Sequence, residues 1–429
     1  MRSAVGVTRI SSGFCMRGIS SFSTDELVIP TAWLGPAILD AAERIEDQLV
    51  VWRRSIHEHP ELSFHERRTT ALVAAALRDA GIEPRMHPEE TGCIADIVGD
   101  PDGPMVALRA DLDALPIGEQ TGLSFASKNP GVSHACGHDF HTSMLLGAAH
   151  CLLQIREALP GRVRLLFQPA EEVSPGGALQ LIERGAMQDV RAILALHVIP
   201  SLPAGTIGVR HGAMTAAINN LKITIRGTGG HSARPHQAVD PILIAATVIR
   251  ELYLAFDRTV DRQDPVVLAF GRFASGTAPN VLPDTAVLEG TLRCASLERQ
   301  RTAPDLIRNV LRGVTSTWGG TFELEIAKGY PPVINDEGLC DLLRGEARRL
   351  FGNDAVREID RASMGAEDFS YFLQHAPGCM LRLGVGQTSD GSDAMLHTSR
   401  FDPDESALPI GSAMLAAGAA RWLDELVGD

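Results

Sequence analysis

Met105-Val106-Ala107-Leu108-Arg109-Ala110-Asp111-Leu112-Asp113 is an apolar run that turns polar at its end. Apolar residues in unbroken succession suit a strand buried on both faces, and such strands belong to parallel sheets covered by helices. The same grammar recurs downstream. Val163 to Phe167 leads into Gln168-Pro169-Ala170-Glu171-Glu172, and Ala192 to Leu196 leads into His197. Helical patterns separate these runs, one after Cys136 (Met144, Leu145, Leu146, Ala149, Leu152) and one around Ala178 to Arg184. Upstream, Ile38, Ala42, Ile45, Leu49, Trp52 and Ile56 recur at helical spacing, and a second helix runs from about Glu66 to Ala80, stopped by Gly81. Strands alternating with helices predict an α/β fold, a mostly parallel sheet covered by helices. Ligands bind such sheets outside the carboxyl ends of the strands, which is where the polar residues fall here.

The pattern changes near residue 214. Ile218 to Ile225 alternates apolar with polar, a strand with one wet face. A helix from about Asp240 to Phe256, strands near 265–273 and 284–294, a helix near 298–318 and a strand near 321–327 follow. The order βαββαβ fits a ferredoxin-like α+β unit. Helix-rich α/β patterning resumes from about Asn335. The expected organisation is a disordered leader at 1–30, the first part of an α/β domain at 31–213, an inserted domain at 214–330, and the rest of the α/β domain at 331–429.

Ligand-type side chains crowd into His134-Ala135-Cys136-Gly137-His138-Asp139-Phe140-His141, directly before the helical pattern. Cys and His are first-choice ligands for zinc and similar metals; a polar loop around a buried Cys is the plain alternative. Glu171-Glu172 follows a strand and a proline. Adjacent side chains in extended backbone point to opposite faces, so one carboxylate can bind metal while its neighbour handles a proton; a solvated acidic loop is the alternative. His197 and His397, each alone, read as satisfied core histidines as readily as ligands. Together, four separate segments place a Cys, His or Glu at element ends of one α/β domain, and five such groups suit a two-metal centre that activates water and polarises the substrate. Asp113 reads as a carboxylate that orients a ligand or metal from behind, or as a strand-end turn residue. No P-loop, GxSxG or GxGxxG motif suggests another chemistry.

The 429 residues exceed one ordinary core. The formal net charge of -14 argues against a nucleic-acid or anionic-membrane partner, and no apolar run reaches membrane-spanning length. Seven cysteines without CxxC pairing suit a reducing compartment, hence a cytoplasmic location. The first residues carry Arg2, Arg9 and Arg17, several serines and no acid before Asp25. They read as a disordered leader, with an organelle presequence or a start at Met16 as the alternatives.

The chain resembles the M20 metallopeptidase clan, in the amidohydrolase branch that includes hippurate hydrolases and hydrolases of indole-acetyl amino-acid conjugates. The resemblance spans about residues 40–425. It rests on Arg109–Pro116 (RADLDALP), His134–His141 (HACGHDFH), Phe167–Glu172 (FQPAEE), Gly229–His236 (GGHSARPH), Asn280–Pro283 (NVLP), Met364–Phe369 (MGAEDF) and His397–Asp402 (HTSRFD). It implies two divalent ions (Zn, Mn, Co or Ni) held by Cys136, His138, Glu172, His197 and His397, with Glu171 as general base and acid. It also implies that 31–213 and 331–429 form the catalytic domain and 214–330 an inserted lid and dimerisation domain, that His231 reaches the neighbouring subunit's site to stabilise the oxyanion, and that Asn280 and Arg293 contact the substrate carboxylate. His134, Asp139 and His141 read as supporting residues. The expected protein is a homodimeric metal-dependent amidohydrolase that cuts a hippurate-like N-acyl amino acid with metal-activated water. Deacetylation of an N-acetyl amino acid, dipeptide cleavage and non-catalytic binding of an acyl amino acid are the alternatives.

Overall fold

The computed structural model describes residues 34–387 and 394–428. The expected leader at 1–30, with Cys15, lies outside the described residues. The chain opens with α1 (Leu34–Arg44), α2 (Glu46–His57) and α3 (Arg67–Asp79), then β1 (Arg85–Met86), β2 (Cys93–Val98) and β3 (Met105–Asp111). α4 (His138–Gln154), β4 (Arg162–Gln168), α5 (Gly177–Glu183), β5 (Val190–Pro203) and β6 (Ile207–Val209) follow. The inserted stretch holds β7 (Ala217–Arg226), α6 (Pro241–Thr259), β8 (Val266–Ser275), β9 (Thr285–Cys294), α7 (Leu297–Trp318) and β10 (Thr321–Lys328). The chain finishes with α8 (Glu337–Phe351), β11 (Val356–Glu358), α9 (Phe369–Phe372), β12 (Gly378–Gly386) and α10 (Ala407–Gly428).

An eight-stranded sheet runs in the order β1-β2-β4-β3-β5-β12-β6-β11. Its centre, β4-β3-β5-β12, is parallel, while β2 joins β4 and β6 joins β12 antiparallel. The sheet is buried on both faces, as the unbroken apolar runs predict. Val163, Leu165 and Phe167 of β4 enter one core, and Leu166 between them enters the other. α4 is buried around nearly its whole circumference, so it forms the central helix of one layer.

The inserted βαββαβ segment forms a separate antiparallel sheet in the order β8-β9-β7-β10, backed by α6 and α7. β7 alternates buried with exposed residues, as expected of a strand with one wet face. Asp240 caps α6 by accepting from the Ile242 and Leu243 amides, with Pro241 in the first turn. Among the described residues no helix is long and apolar enough to cross a membrane.

One strand departs from expectation. β5 does not end before His197 but continues to Pro203. Its pairing with β3 stops at Arg109–Ala195, whereas β12 accompanies it through Ile199 and again at Pro203. On the side that β3 vacates, the His141 Nε2 accepts from the Val198 amide at 3.0 Å. A crevice therefore opens beside His197.

Candidate metal centre and cleft

Gly137 begins the site. Its φ of 81° is left-handed, and a Cβ there would lie 2.5 Å from Val198 Cγ2, so only glycine fits the turn into α4. The turn presents Cys136 and His138 on the crevice side. Behind it, Asp139 accepts from Arg53 Nε at 2.9 Å and pairs with His57 Nδ1 at 2.8 Å, all three buried. These contacts tie the start of α4 to α2.

Cys136 Sγ lies 3.6 Å from His197 Nε2 and 3.2 Å from His397 Nε2. His397 Nε2 is 3.2 Å from Glu172 Oε1, which is 4.0 Å from His138 Nε2. Cys136, His138 and His197 form one group with ligand atoms mutually within 4.8 Å, and Cys136, Glu172 and His397 form another. Cys136 is common to both. The structure thus gathers all five expected ligands, although they come from four separate chain segments. His397 has φ of 62°, a strained value for a non-glycine residue of the kind found at functional sites. Its amide donates to the Ala135 carbonyl at 2.7 Å, which joins the end of the chain to the Cys136 turn.

These residues fit a metal. His138 Nε2 is buried and makes no hydrogen bond, a condition that a cation beside it relieves. The outer nitrogens of His138 and His197 are already engaged. His138 Nδ1 pairs with Asp113 Oδ1 at 3.2 Å, and His197 Nδ1 with the Val198 carbonyl at 2.7 Å. That pattern fixes the ring orientation and leaves Nε2 free toward the centre. A mixed set of thiolate, imidazole and carboxylate suits zinc and its first-row neighbours.

Glu171 and Glu172 sit in a bend, since β4 ends at Gln168. Their arrangement therefore does not come from the alternation of extended backbone. Asp113 sets it: Oδ1 accepts from the Glu171 amide and Oδ2 from the Glu172 amide, each at 3.0 Å. Ala170 enters the bend with φ of 53°. Glu172 reaches toward His397, while Glu171 also lies in a group with Glu367 and Asp368. Burial, then the carboxylates of Glu367, Glu172 and Asp368, pushes the Glu171 carboxyl well above its usual range. His397 is pushed up to about 10 by its hydrogen bonds to Cys136 and Glu172. Because Asp113 holds both glutamate amides and His138, replacing it with alanine is expected to weaken metal binding about 10–100-fold. Competition titration against a chelator checks this, and an unchanged affinity would make Asp113 a turn residue only.

A cleft of about 730 Å³ opens over these groups. Its wall includes Arg293 from β9, whose Nη1 donates to the Met364 carbonyl at 2.8 Å. His231 and Asn280 lie elsewhere. They are exposed, sit on the paired segments Gly230–His231 and Val281–Leu282 or beside them, and do not line the cleft. His141 and Asp139 act as supports as expected, through Asp111 and Arg53. His134 is buried with neither ring nitrogen hydrogen-bonded, and burial lowers its pKa to about 4.

Three site residues escape the sequence reading. The Tyr330 hydroxyl donates to the Glu171 carbonyl at 3.0 Å, from the last residue of the insertion, which no motif marks. Arg382 lines the cleft from β12; its signal is a charge inside an apolar strand buried throughout. Glu66 accepts from the Ala170 amide at 2.8 Å and from the Thr91 hydroxyl at 2.6 Å. Burial pushes the Glu66 carboxyl up to about 7. A carboxyl raised in the folded state binds more protons there than in the unfolded chain. The Glu66 contribution to the stability of the metal-free protein is therefore expected to fall as pH rises from about 4.5 through about 7, by about 3 kcal/mol. Denaturant titrations across that window check the slope, which Glu66→Gln should flatten.

An α/β sheet with an inserted four-stranded unit, a metal-type cluster at the sheet crevice and an acidic group beside it define a metallohydrolase. The chain belongs to the peptidase M20/M25/M40 family, whose model matches residues 107–421, and it is a metal-dependent amide hydrolase of the amidohydrolase branch. It is 40% identical over 381 residues to N-acetyl-L-cysteine deacetylase of Bacillus subtilis, covering 89% of each chain. It is 41% identical over 323 residues to N-acyl-L-amino acid amidohydrolase of Geobacillus stearothermophilus, covering 75% of this chain and 85% of that one. A Bacillus subtilis crystal structure described as a dinuclear metal-binding peptidase of family M20 superposes with a TM-score of 0.79 at 37% identity, covering 89% of this chain and 99% of the other.

Proposed function

We propose that this protein hydrolyses the amide bond of N-acyl amino acids, hippurate-like compounds foremost, to a carboxylic acid and a free amino acid. The observation that carries the reading is the pair of ligand groups meeting at Cys136, with Glu171 beside them. Cys136, His138, Glu172, His197 and His397 would hold two divalent ions, Zn, Mn, Co or Ni, with the Cys136 thiolate placed to serve both. When bound, such a pair polarises the scissile carbonyl and acidifies water.

The chain's own residues supply the rest. Glu171 takes the proton from the attacking water and delivers it to the amine nitrogen as the carbon–nitrogen bond breaks. Its burial among other carboxylates favours holding that proton between the two steps. Asp113 fixes the Glu171 amide, so the carboxyl works from a set position. Arg293 meets the substrate carboxylate, for which guanidinium geometry is suited. Met214, Ile218, Ile359 and Leu396 give the cleft an apolar wall that suits an aromatic acyl group.

His231 and Asn280 are assigned to the neighbouring subunit's cleft, because they are exposed on the inserted unit and absent from their own. Exposed Leu243, Tyr253, Phe273 and Val281 on that unit support a homodimer formed through residues 214–330. The catalytic domain on this division comprises residues 31–213 and 331–429. The partner is a small molecule and not a nucleic acid, in keeping with the net charge of -14, and the compartment is the reducing cytoplasm.

The test is amino-acid release from benzoyl-glycine, acetylated and indole-acetylated amino acids and dipeptides, with protein stripped of metal and reloaded with Zn or Mn. Metal-dependent release from the acylated amino acids is expected, with benzoyl-glycine the best of those that carry a single carboxylate. Preference for the acetylated set would replace the aromatic assignment with a deacetylase. No release from any substrate, by a folded and metal-loaded dimer, would leave a binding protein.

A further inference from the structure

Arg382 stands beside His197. The two are register partners across the parallel β5–β12 pairing, so both side chains leave the same face of the sheet. Room is made for it on the other side. Its antiparallel partner on β6 is Gly208, where a Cβ would lie 2.8 Å from Ile359 Cδ1 and 3.0 Å from Arg382 Cβ.

Only 9% of Arg382 is exposed, and it lines the cleft. Among the described residues no hydrogen bond or ion pair holds it, and Glu367, Cys136 and Glu171 act on its charge only at longer range. The other buried arginines differ sharply. Arg53 meets Asp139 and Glu405, Arg109 meets Asp111, Glu367 and Asp368, and Arg164 meets Asp96. A buried guanidinium remains charged and offers five donors, and leaving those donors without a hydrogen-bonded anion is unfavourable. The anion is expected from whatever fills the cleft. Arg293, on a different element and held by the Met364 carbonyl, already serves one carboxylate in the proposed reaction.

We propose that Arg382 is a specificity residue that binds a second carboxylate of the substrate, so that the preferred substrates are N-acyl amino acids carrying two carboxylates. The second carboxylate belongs either to the amino-acid side chain or to the acyl group. This rests on the amidohydrolase reading above. It narrows that reading, because a plain hippurate leaves Arg382 unpaired.

Two matched pairs separate the sources: N-acetyl-glutamate against N-acetyl-glutamine, and N-succinyl-glycine against N-butanoyl-glycine. The metal-loaded protein is expected to favour the diacid of one pair about 10–100-fold in kcat/KM, mainly through KM. Arg382→Gln should bring that ratio near one, and Arg382→Lys should restore part of it, with metal content measured for each variant. Calorimetric titration with succinate and with butyrate reads the same subsite without turnover. Succinate should bind more tightly, and the difference should vanish in Arg382→Gln. No preference in either pair and none between succinate and butyrate would overturn the proposal while leaving the amidohydrolase intact. So would a preference that survives Arg382→Gln. Discrimination of succinate through Arg382 in a protein that cuts no amide would have the opposite meaning: the subsite would stand and the hydrolytic reading would fall.

Discussion

Glu171→Gln is expected to fold, to retain its metal and to turn over N-acyl amino acids about 10²–10⁴-fold more slowly than the parent protein. The substitution keeps the size of the side chain and removes the one property the proposed reaction needs, the ability to accept and release a proton. Nothing in the packing opposes it. Asp113 holds residue 171 through its backbone amide, and Tyr330 does so through its carbonyl. The loss should fall on kcat, because Glu171 acts on the water and the leaving amine and not on substrate binding. Equal loss of metal and of activity would instead identify Glu171 as a ligand. A variant with the parent's kcat would remove it from the reaction altogether.

The second large effect is expected at Cys136. Removing a residue that orients a ligand weakens a metal site about 10–100-fold, and removing the ligand itself should exceed that. Cys136 belongs to both ligand groups, so Cys136→Ala should empty both sites together and abolish amide hydrolysis. His197→Ala, which removes a member of one group only, should lower metal content by one ion before the other. Elemental analysis after dialysis against chelator distinguishes the two patterns. Retention of one tightly held ion in Cys136→Ala would show that the thiolate serves a single site. Burial and the Glu172 carboxylate raise the Cys136 thiol in the protein without metal, so loading should release a proton and weaken at low pH.

Much of this was legible in the chain because periodicity and clustering are local signals. The apolar runs at 105–108, 163–167 and 192–196 announced strands buried on two faces, and Val163, Leu166 and their neighbours do divide between two cores. The βαββαβ order of the insertion follows from the change to alternating burial at Ile218–Ile225, visible in β7. Even the ligand types were marked by their density, since Cys136 and His138 flank a glycine that the turn requires. The residues that failed to show themselves act across long stretches of sequence. Tyr330 and Glu66 each fix the Glu171 segment through single hydrogen bonds from elements far away along the chain, and such contacts leave no spacing to read.

By itself, the amino-acid sequence determined the strands that carry Met105, Val163 and Ala192, the βαββαβ order of the insertion, and which side chains have metal-binding chemistry. Those properties belong to short windows of residues and their periodicity. Only the tertiary structure decided that β5 outruns β3 and opens the crevice at His197, that Asp113 and not strand alternation directs the two glutamates, and that His231 and Asn280 stand outside their own cleft. Among the described residues, it alone left Arg382 buried with no hydrogen-bond or ion-pair partner. Strand register, hydrogen-bond satisfaction and desolvation are relations among residues distant in sequence, and they take a value only once the chain has folded.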